Sequence, residues 1–296
     1  MIGVDWGTTQ LRAYRIGADG NVLASRSAPK GIMAVDGGAF AQTLEAVIGD
    51  WLDQERGPIL MSGMIGSRQG WVEASYVSCP AHPAQVAQAL AEVGWGSGRR
   101  GFICPGLTCR DRDGVPDVMR GEEVQMFGAL EALGGGAVSG ICHPGTHSKH
   151  VEIQDGAVAG FRTYMTGEVF AVLREHSILG RTMAEGPTDW QAFERGVERA
   201  SNSGGLLHHL FGARTRVLMN ELAPAAEADY LSGMLIGHEI RAAGGSGPVL
   251  VVGAAALAKR YQRAFRLCGR EARVLDGETA TVKGLRLIHD LAQKAA

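Results

Sequence analysis

The chain has 296 residues, of which 45% are hydrophobic, so it can bury a substantial core and is long enough for roughly two domains. Its formal net charge is −2, and its Lys and Arg residues are scattered, which leaves no broad basic surface. We therefore expect a globular protein whose partners include neither nucleic acid nor a membrane.

Targeting and cysteine signals both favour the cytoplasm. The sequence enters a strand pattern at Ile2 with no basic and then apolar leader, and no run approaches the ~20 apolar residues of a membrane span. The five cysteines are widely spaced and contain no Cys-x-x-Cys pair, so they predict neither a disulfide framework nor a zinc site. We expect a cytoplasmic protein with reduced cysteines.

The first strand pattern runs directly into a glycine-threonine turn. Gly7 permits close backbone approach to a ligand, and the N–H groups of Gly7, Thr8 and Thr9 can converge on phosphate oxygens. Asp5, on the strand before the turn, can hold Mg²⁺ through water. An ordinary hairpin turn is the alternative interpretation of the same residues.

The first half of the chain has the pattern of a ribonuclease-H-like domain. Hydrophobic periodicity predicts three strands, a helix, a strand, a helix and a strand, near 2–7, 10–17, 21–26, 40–51, 58–62, 82–93 and 101–104. An antiparallel three-stranded meander followed by parallel strands with crossover helices is the arrangement that this order favours.

The second half repeats this plan. A strand at Ile141 again enters a Gly-Thr turn, which contains Gly145, Thr146, His147 and Ser148, and an Asp-Gly turn follows it as one follows the first turn. A third pattern, an apolar strand, a glycine turn and a helix start over 249–257, has Gly253 at its turn. Two phosphate turns and such a late glycine turn resemble the actin, sugar kinase and Hsp70 superfamily, in which the late turn contacts adenosine. The resemblance implies two ribonuclease-H-like (actin-like ATPase) domains with a nucleotide cleft between them.

Longer motifs point to one family within that superfamily. The stretches 63–71, 116–123 and 144–149 follow the Asp-Trp-Gly-Thr-Thr start in fixed order, and together they resemble 2-dehydro-3-deoxygalactonokinases. The similarity extends through 161–168 and is weaker towards the C-terminus. One departure is His150, where the resemblance leads us to expect tryptophan.

The resemblance implies transfer of the γ-phosphoryl group of ATP to the 6-hydroxyl of 2-dehydro-3-deoxy-D-galactonate, in galactonate catabolism. In this scheme Asp5 holds Mg²⁺. Thr8 and Thr9 bind the triphosphate on one side, and the turn from Gly145 to Ser148 binds it on the other. Phosphoryl transfer depends mainly on positioning and electrostatic stabilisation, so two phosphate turns suit it.

The attacking hydroxyl requires a carboxylate, and three candidates remain open. Glu122 and Glu123 lie at the predicted start of a helix, where related sugar kinases have their catalytic acid and where the helix dipole favours an ionised side chain. Asp117, slightly upstream, is the third candidate. Two surface acids that merely complement the helix dipole are the structural alternative.

A glycine-rich loop is predicted to bind the sugar acid. It contains Gly66, Ser67, Arg68 and Gln69, and we assign the substrate carboxylate to Arg68 because a planar guanidinium matches a carboxylate well. The alternative is an ordinary surface arginine.

The predicted domain limits are 1–117, with the substrate loop, and 118–296, with nucleotide-binding elements and a last helix that packs back on the first domain. A kinase for the gluconate-derived epimer or another sugar acid is the alternative enzyme, and an actin-like nucleotide-binding regulatory protein is the alternative outside enzymes. A homo-oligomer is compatible with the sequence.

Overall fold

A computed structural model describes residues 1–55, 57–96, 98–134 and 138–295. The chain divides into two compact units. The first contains Met1–Gly136, Glu152–Phe161 and Asp276–Ala296, and the second contains Ala137–Val151 and Arg162–Leu275. The functional domain limits 1–117 and 118–296 stay a prediction. None of the helices in the described ranges combines the length and apolar character needed to cross a membrane.

The elements alternate between strands and helices along the chain. In the first half they are β1 (Ile2–Trp6), β2 (Leu11–Ile16), β3 (Val22–Ala28), α1 (Phe40–Gln54), β4 (Ile59–Ser62), β5 (Tyr76–Ser78), α2 (Pro83–Gln88), β6 (Ala91–Trp95), β7 (Arg99–Ile103), β8 (Gly106–Arg110), β9 (Pro116–Met119) and α3 (Glu122–Leu133). In the second half they are β10 (Gly140–His143), β11 (Ser148–Gln154), β12 (Ala157–Tyr164), α4 (Thr166–His176), α5 (Trp190–Arg199), α6 (Gly205–Leu218), α7 (Glu227–Ala243), β13 (Val249–Gly253), α8 (Ala255–Leu267), β14 (Ala272–Asp276) and α9 (Gly277–Ala295).

The main sheet of the first unit has the strand order β3-β2-β1-β4-β7-β6. Strands β1 and β2 are antiparallel, as are β2 and β3, whereas β1, β4 and β7 are parallel. This confirms the predicted ribonuclease-H-like arrangement. The apolar side of α1 covers the sheet with Phe40, Leu44 and Ile48, which are buried in one core with Val4 and Trp6.

The prediction of a helix over 82–93 is wrong in its second half. Helix α2 ends at Gln88, and β6 follows at once, antiparallel to β7 at the sheet edge. Within β6 the neighbours of buried Val93 are exposed Glu92 and Gly94. This alternation suits an edge strand, and pairing with β7 outweighs the local helix propensity of the segment.

A second, three-stranded sheet in the first unit was absent from the sequence-based prediction. Its order is β5-β8-β9, with β5 parallel and β9 antiparallel to β8. Strand β9 leads through a short turn into α3, which packs against α9. The small sheet therefore fixes the point at which α3 begins.

A five-stranded sheet has the order β12-β11-β10-β13-β14, and its strands β10 and β13 belong to the second unit. The predicted Asp-Gly turn joins β11 to β12, with positive φ at both Asp155 and Gly156. Strands β10 and β13 are parallel, with Cys142 opposite Val251. The strand order corresponds to β3-β2-β1-β4-β7, and β10 and β13 are parallel as β1 and β4 are, so the predicted duplication of the plan is confirmed. Because β10 and β13 are parallel neighbours, the turns that follow them lie at the same edge of the sheet.

Candidate functional site

The loop between β1 and β2 contains the first predicted phosphate turn. Gly7 donates its N–H to the carbonyl of Gln10 at 2.9 Å. Gly7 therefore closes the turn, contrary to the expectation that three N–H groups converge on phosphate. Thr8 and Thr9 are exposed, and their N–H groups donate to no other described residue. The backbone of Gly31 packs directly against the turn, since a Cβ on Gly31 would lie 2.3 Å from the Thr8 carbonyl carbon. Two N–H groups thus remain for an anion.

Two glycines bring the end of β4 and the start of α3 beside Asp5. Gly63 has a φ of 95°, and a Cβ on it would lie 2.8 Å from the Trp6 carbonyl oxygen and 3.3 Å from Asp5 Oδ1. Gly121 has a φ of 103°, and a Cβ on it would lie 3.0 Å from Gly63 Cα. Only glycine suits such a conformation and such contact. As a result, α3 begins with Glu122 in the neighbourhood of Asp5.

The two acids that open α3 have different environments. Glu122 Oε2 accepts the N–H of Arg120 at 3.0 Å, and Glu123 Oε2 accepts the N–H of Gly121 at 2.6 Å. Glu123 is fully buried, and burial together with the neighbouring Glu122 raises its pKa to about 8. Glu122 is half-buried, and its charge contributes to raising the pKa of Asp5. Of the two acids, Glu122 combines access from solvent with electrostatic contact to Asp5.

The third candidate acid lies on another element. Asp117 is part of β9, is partly exposed, and accepts the N–H of Val118 at 2.8 Å through Oδ1. Its strand pairs with β8, where Cys109 is its partner. Asp117 therefore lies on the segment that leads to α3, and its role as a base stays a prediction.

The surroundings of Asp5 disfavour its ionised form. Its pKa is raised, mainly because the carboxyl group is buried and further because of Glu122, while Arg12 acts in the opposite direction. The Arg12 side chain is 51% exposed and its Nη1 lies 3.5 Å from Asp5 Oδ2, so this ion pair is weak. A carboxylate that is disfavoured by burial and by a second acid is stabilised by a divalent cation, for which carboxylate oxygen is a suitable ligand.

The predicted substrate loop follows Gly63. Gly66 is buried, Ser67 half-buried, and Arg68 and Gln69 exposed. The Arg68 side chain is 88% exposed, and its Nε lies 3.0 Å from an oxygen of Glu73. The role of these four residues in substrate binding stays a prediction.

Sequence reasoning missed Arg120, which lies against this loop. Its Nη2 donates to the carbonyl of Ala74 at 2.8 Å, and its guanidinium lies over the Tyr76 ring at 4.4 Å. A Cβ on Gly66 would lie 3.0 Å from Arg120 Nη1. The residue stands in the motif 116–123, but nothing in the local pattern shows that its side chain returns to a loop about 50 residues earlier.

The second predicted phosphate turn follows β10 and is held by the start of α4. Glu168 donates its N–H to the carbonyl of Thr146 at 3.0 Å, and its carboxylate lies 2.5 Å from His147 Nε2. A Cβ on Gly167 would lie 2.4 Å from the Gly145 carbonyl oxygen. The backbone of the turn therefore rests directly on that of α4. Thr146 and His147 are exposed, as a phosphate-binding turn requires.

A buried polar network fixes the end of this turn. The Ser148 and Tyr261 hydroxyls lie 2.8 Å apart, and Tyr261 donates to Glu239 Oε2 at 2.7 Å. The other Glu239 oxygen lies 2.7 Å from His150 Nε2, which is 3.7 Å from Cys142 Sγ. Cys142, His150 and Glu239 lie close enough together to hold a metal ion. The hydrogen bonds already satisfy the carboxylate, so we interpret the group as support for the sheet and for the turn.

A cavity of about 320 Å³ lies in the second unit beside the turn. Gly145, Thr166 and Gly167 line one part of it, and Leu257, Arg260 and Tyr261 on α8 line another. Arg260 pairs with Asp229, also in the lining, at 2.6 Å. The volume and the mixture of apolar and charged groups suit a small organic ligand.

The late glycine turn lies beside the second phosphate turn. A Cβ on Gly253 would lie 3.6 Å from the Pro144 carbonyl oxygen. The N-cap of α8, Ala254, has no capping side chain. Unpartnered N–H groups at a helix start favour a negatively charged ligand. In the second unit, the predicted residues Gly145 to Ser148 and Gly253 are therefore brought to one sheet edge.

Comparison with known proteins gives close relatives over nearly the whole chain. The 2-dehydro-3-deoxygalactonokinase of Escherichia coli (strain K12) is 35% identical over 291 residues, which cover 97% of this chain and 96% of the relative. A protein of Rhizobium meliloti (strain 1021), provisionally named for the same activity, is 40% identical over 293 residues, 95% of this chain and 94% of the relative.

Solved structures agree with the sequence relatives. A crystal structure of a Sinorhizobium meliloti protein, again provisionally named 2-dehydro-3-deoxygalactonokinase, is 38% identical, has a TM-score of 0.90, and each chain covers 97% of the other. The activator of 2-hydroxyisocaproyl-CoA dehydratase from Clostridium difficile, solved with bound ADPNP, has a TM-score of 0.51 at 13% identity over 100% of this chain and 97% of its own. The second likeness concerns the fold alone.

The sequence profile of a family described as 2-keto-3-deoxy-galactonokinase matches residues 5–288. This match spans both predicted phosphate turns, the predicted substrate loop and the start of α3. The chain belongs to the 2-keto-3-deoxy-galactonokinase family.

Proposed function

We propose that this protein transfers the γ-phosphoryl group of ATP to the 6-hydroxyl of 2-dehydro-3-deoxy-D-galactonate. Family membership supports the reaction. The roles of the individual acids rest on one observation: Glu122, the first residue of α3, interacts electrostatically with Asp5. A base for the hydroxyl and a ligand for a metal that accompanies ATP are the two acids that such a transfer needs.

Glu122 acts as the general base in this proposal. Its half-buried carboxylate lies at the N-terminus of α3, and it accepts the proton as the 6-hydroxyl attacks phosphorus. Glu123 is enclosed, so a substrate hydroxyl cannot reach it without rearrangement. Asp117 remains the alternative base.

Asp5 holds Mg²⁺, directly or through water. When bound, the ion neutralises charge on the β- and γ-phosphates. Thr8 and Thr9 donate backbone N–H groups to phosphate oxygens, and Gly7 gives the turn its shape through its bond to Gln10.

The second unit binds the rest of the nucleotide. Gly145, Thr146 and His147 contact phosphate, while buried Ser148 holds the end of the turn through its bond to Tyr261. The N-terminus of α8 after Gly253 favours the same charge. The cavity beside this turn accommodates the nucleoside, for which its charged lining offers hydrogen-bond partners to the ribose.

A coupled assay of ADP release tests the proposal. The protein is supplied with MgATP and either 2-dehydro-3-deoxy-D-galactonate or the gluconate-derived epimer. We expect turnover with the galactonate compound and a lower kcat/KM with its epimer, because one inverted hydroxyl changes the hydrogen bonds in the pocket. Faster turnover of the epimer would reassign the substrate. A rate of ADP release that neither sugar acid increases would contradict the kinase assignment.

A further inference from the structure

The guanidinium of Arg120 is enclosed but incompletely bonded. Nη2 donates to the carbonyl of Ala74 at 2.8 Å, whereas Nε and Nη1 are buried and have no hydrogen-bond partner within the described part of the chain. Stacking on Tyr76 fixes the plane of the group. Two donors of a permanently charged side chain are therefore held in place without an acceptor.

A third unpartnered group lies in the neighbouring loop. The Ser67 hydroxyl oxygen is buried and makes no hydrogen bond to a described residue. Ser67 directly follows Gly66, where a Cβ would lie 3.0 Å from Arg120 Nη1. A side chain at position 66 would thus be in tight contact with the guanidinium, and glycine lets Arg120 lie directly against the loop.

Among the described residues, no carboxylate bonds to the Arg120 guanidinium either. Glu123 is close enough for Arg120 to affect its pKa, but burial makes the neutral acid the favoured form of Glu123 at neutral pH. Folded proteins satisfy nearly all buried polar groups, and leaving several unpaired at one place is costly unless a ligand completes them. A ligand with negative oxygens supplies what this place lacks.

We propose that Arg120 and Ser67 bind the carboxylate of the sugar-acid substrate. This inference rests on the proposed function, because it assigns one end of that substrate. The segment that carries Arg120 also carries Glu122, and Glu122 Oε2 accepts the Arg120 N–H at 3.0 Å. One short stretch of chain thereby supplies a group for the carboxylate and a group for the hydroxyl at the opposite end of the same molecule.

Arg68, the arginine assigned to the carboxylate from sequence, is in a different situation. Its side chain is 88% exposed and already paired with Glu73. Such a pair needs no ligand to complete it. Because the unpartnered atoms of Arg120 and Ser67 are enclosed, entry of the carboxylate requires rotation of the Ser67 side chain and an outward movement of the loop at Arg68 and Gln69, both of which are exposed.

Calorimetric titration without ATP tests the site directly. The probes are 2-dehydro-3-deoxy-D-galactonate and its primary amide, which keeps the shape of the acid but loses its charge. Wild-type protein is expected to bind the acid at least about 10-fold more tightly, since hydrogen bonds to charged groups contribute about that factor or more. Arg120→Lys should lower the affinity for the acid about 10- to 100-fold and change that for the amide by less than about threefold.

Ser67→Ala provides the variant that keeps the fold. It removes a buried hydroxyl without a partner, so we expect an unchanged or raised Tm together with an affinity for the acid that falls about 10-fold. A purely structural role of Ser67 would leave that affinity unaltered. Arg112→Lys, at an exposed position of the loop between β8 and β9, is the matched arginine control and should bind both probes as the wild type does.

Three outcomes would overturn the site: equal binding of acid and amide by the wild type, an unchanged preference in Ser67→Ala and Arg120→Lys, or loss of the preference in Arg68→Lys alone. If Arg120→Lys does not fold, the Ser67→Ala result decides. ADP release by the wild type is measured separately. Preferential binding of the acid without turnover would therefore refute the proposed function and leave the carboxylate site standing.

Discussion

Glu122 and Glu123 are adjacent and chemically identical, but their surroundings differ. Glu122 and Glu123 both follow Gly121, and both accept backbone N–H groups just before α3. Glu123 points into the core and Glu122 lies at its border. Periodicity along the sequence could not separate them, because both lie in the first turn of the helix and the direction of each side chain depends on the approach of Gly63 to Gly121.

Glu122→Gln tests the base. The amide keeps the shape and the bond from Arg120 but cannot accept a proton, so we expect kcat to fall by about 10²- to 10⁴-fold with little change in KM. Steady-state ADP release measures both quantities. Glu131→Gln, on the exposed side of the same helix, is the matched control and should retain wild-type kcat. A loss of only a few-fold in Glu122→Gln would move the base to Asp117 or Glu123.

Glu123→Gln is predicted to change the pH dependence of stability. The pKa of Glu123 is raised from 4.5 to about 8, so the folded protein favours the neutral acid. The contribution of Glu123 to the free energy of unfolding is fully present below pH ~4.5. It is lost as the pH rises through about 8, where the buried group must ionise. Glutamine cannot ionise and is free of this loss.

Thermal unfolding between pH ~5 and ~9 measures the effect. The Tm of Glu123→Gln should exceed that of the wild type by an amount that grows with pH, up to roughly 5–10 °C, for a difference on the order of a few kcal/mol. The raised pKa of Asp5 acts in the same direction but is present in both proteins. A constant difference in Tm across this range would show that Glu123 ionises normally.

At the scale of elements, local sequence patterns predicted individual strands and helices better than they predicted which elements pair or pack together. The three-stranded meander, α1 and the Asp155-Gly156 turn follow from alternation, helical spacing and turn residues. Strand β6 could not be predicted in this way, because its apolar residues fit a helix equally well and only the pairing with β7 identifies it as a strand. The return of Arg120 to the loop at Gly66 is likewise a tertiary fact that no local pattern contains.

Gly167→Ala is predicted to disturb the second phosphate turn. Gly167 is the second residue of α4, where alanine would ordinarily stabilise a helix, but a Cβ would lie 2.4 Å from the Gly145 carbonyl oxygen. The turn must therefore shift. We expect KM for ATP to rise about 10-fold or more, whereas the affinity for the sugar acid, measured without ATP, should hold.

Gly160→Ala, on the neighbouring strand β12, is the control for the Gly167→Ala variant. No atom of a described residue lies within 4 Å of a Cβ at position 160, and the φ of Gly160 is not positive, so the variant should keep the wild-type KM for ATP. Equal values of KM in wild type, Gly160→Ala and Gly167→Ala would remove the turn at Gly145 from the nucleotide site.

For the whole molecule, the duplicated plan explains why chemistry-bearing residues stand far apart in the sequence. The orders β3-β2-β1-β4-β7 and β12-β11-β10-β13-β14 are the same, and in each the turn after the first meander strand was predicted to bind phosphate. The fold was predictable because the pattern occurs twice. The substrate was indicated by family resemblance alone, since the orientation of one hydroxyl leaves no trace in hydrophobic periodicity or turn chemistry.

The position of the transferred phosphate tests the central claim most directly. Wild-type protein is incubated with MgATP and 2-dehydro-3-deoxy-D-galactonate, and the product is examined by phosphorus-proton correlated NMR. We predict one new phosphate ester whose phosphorus couples to the two protons on C6, formed in equal amount with ADP. A phosphate on another carbon, or ADP formed without any sugar phosphate, would contradict the account.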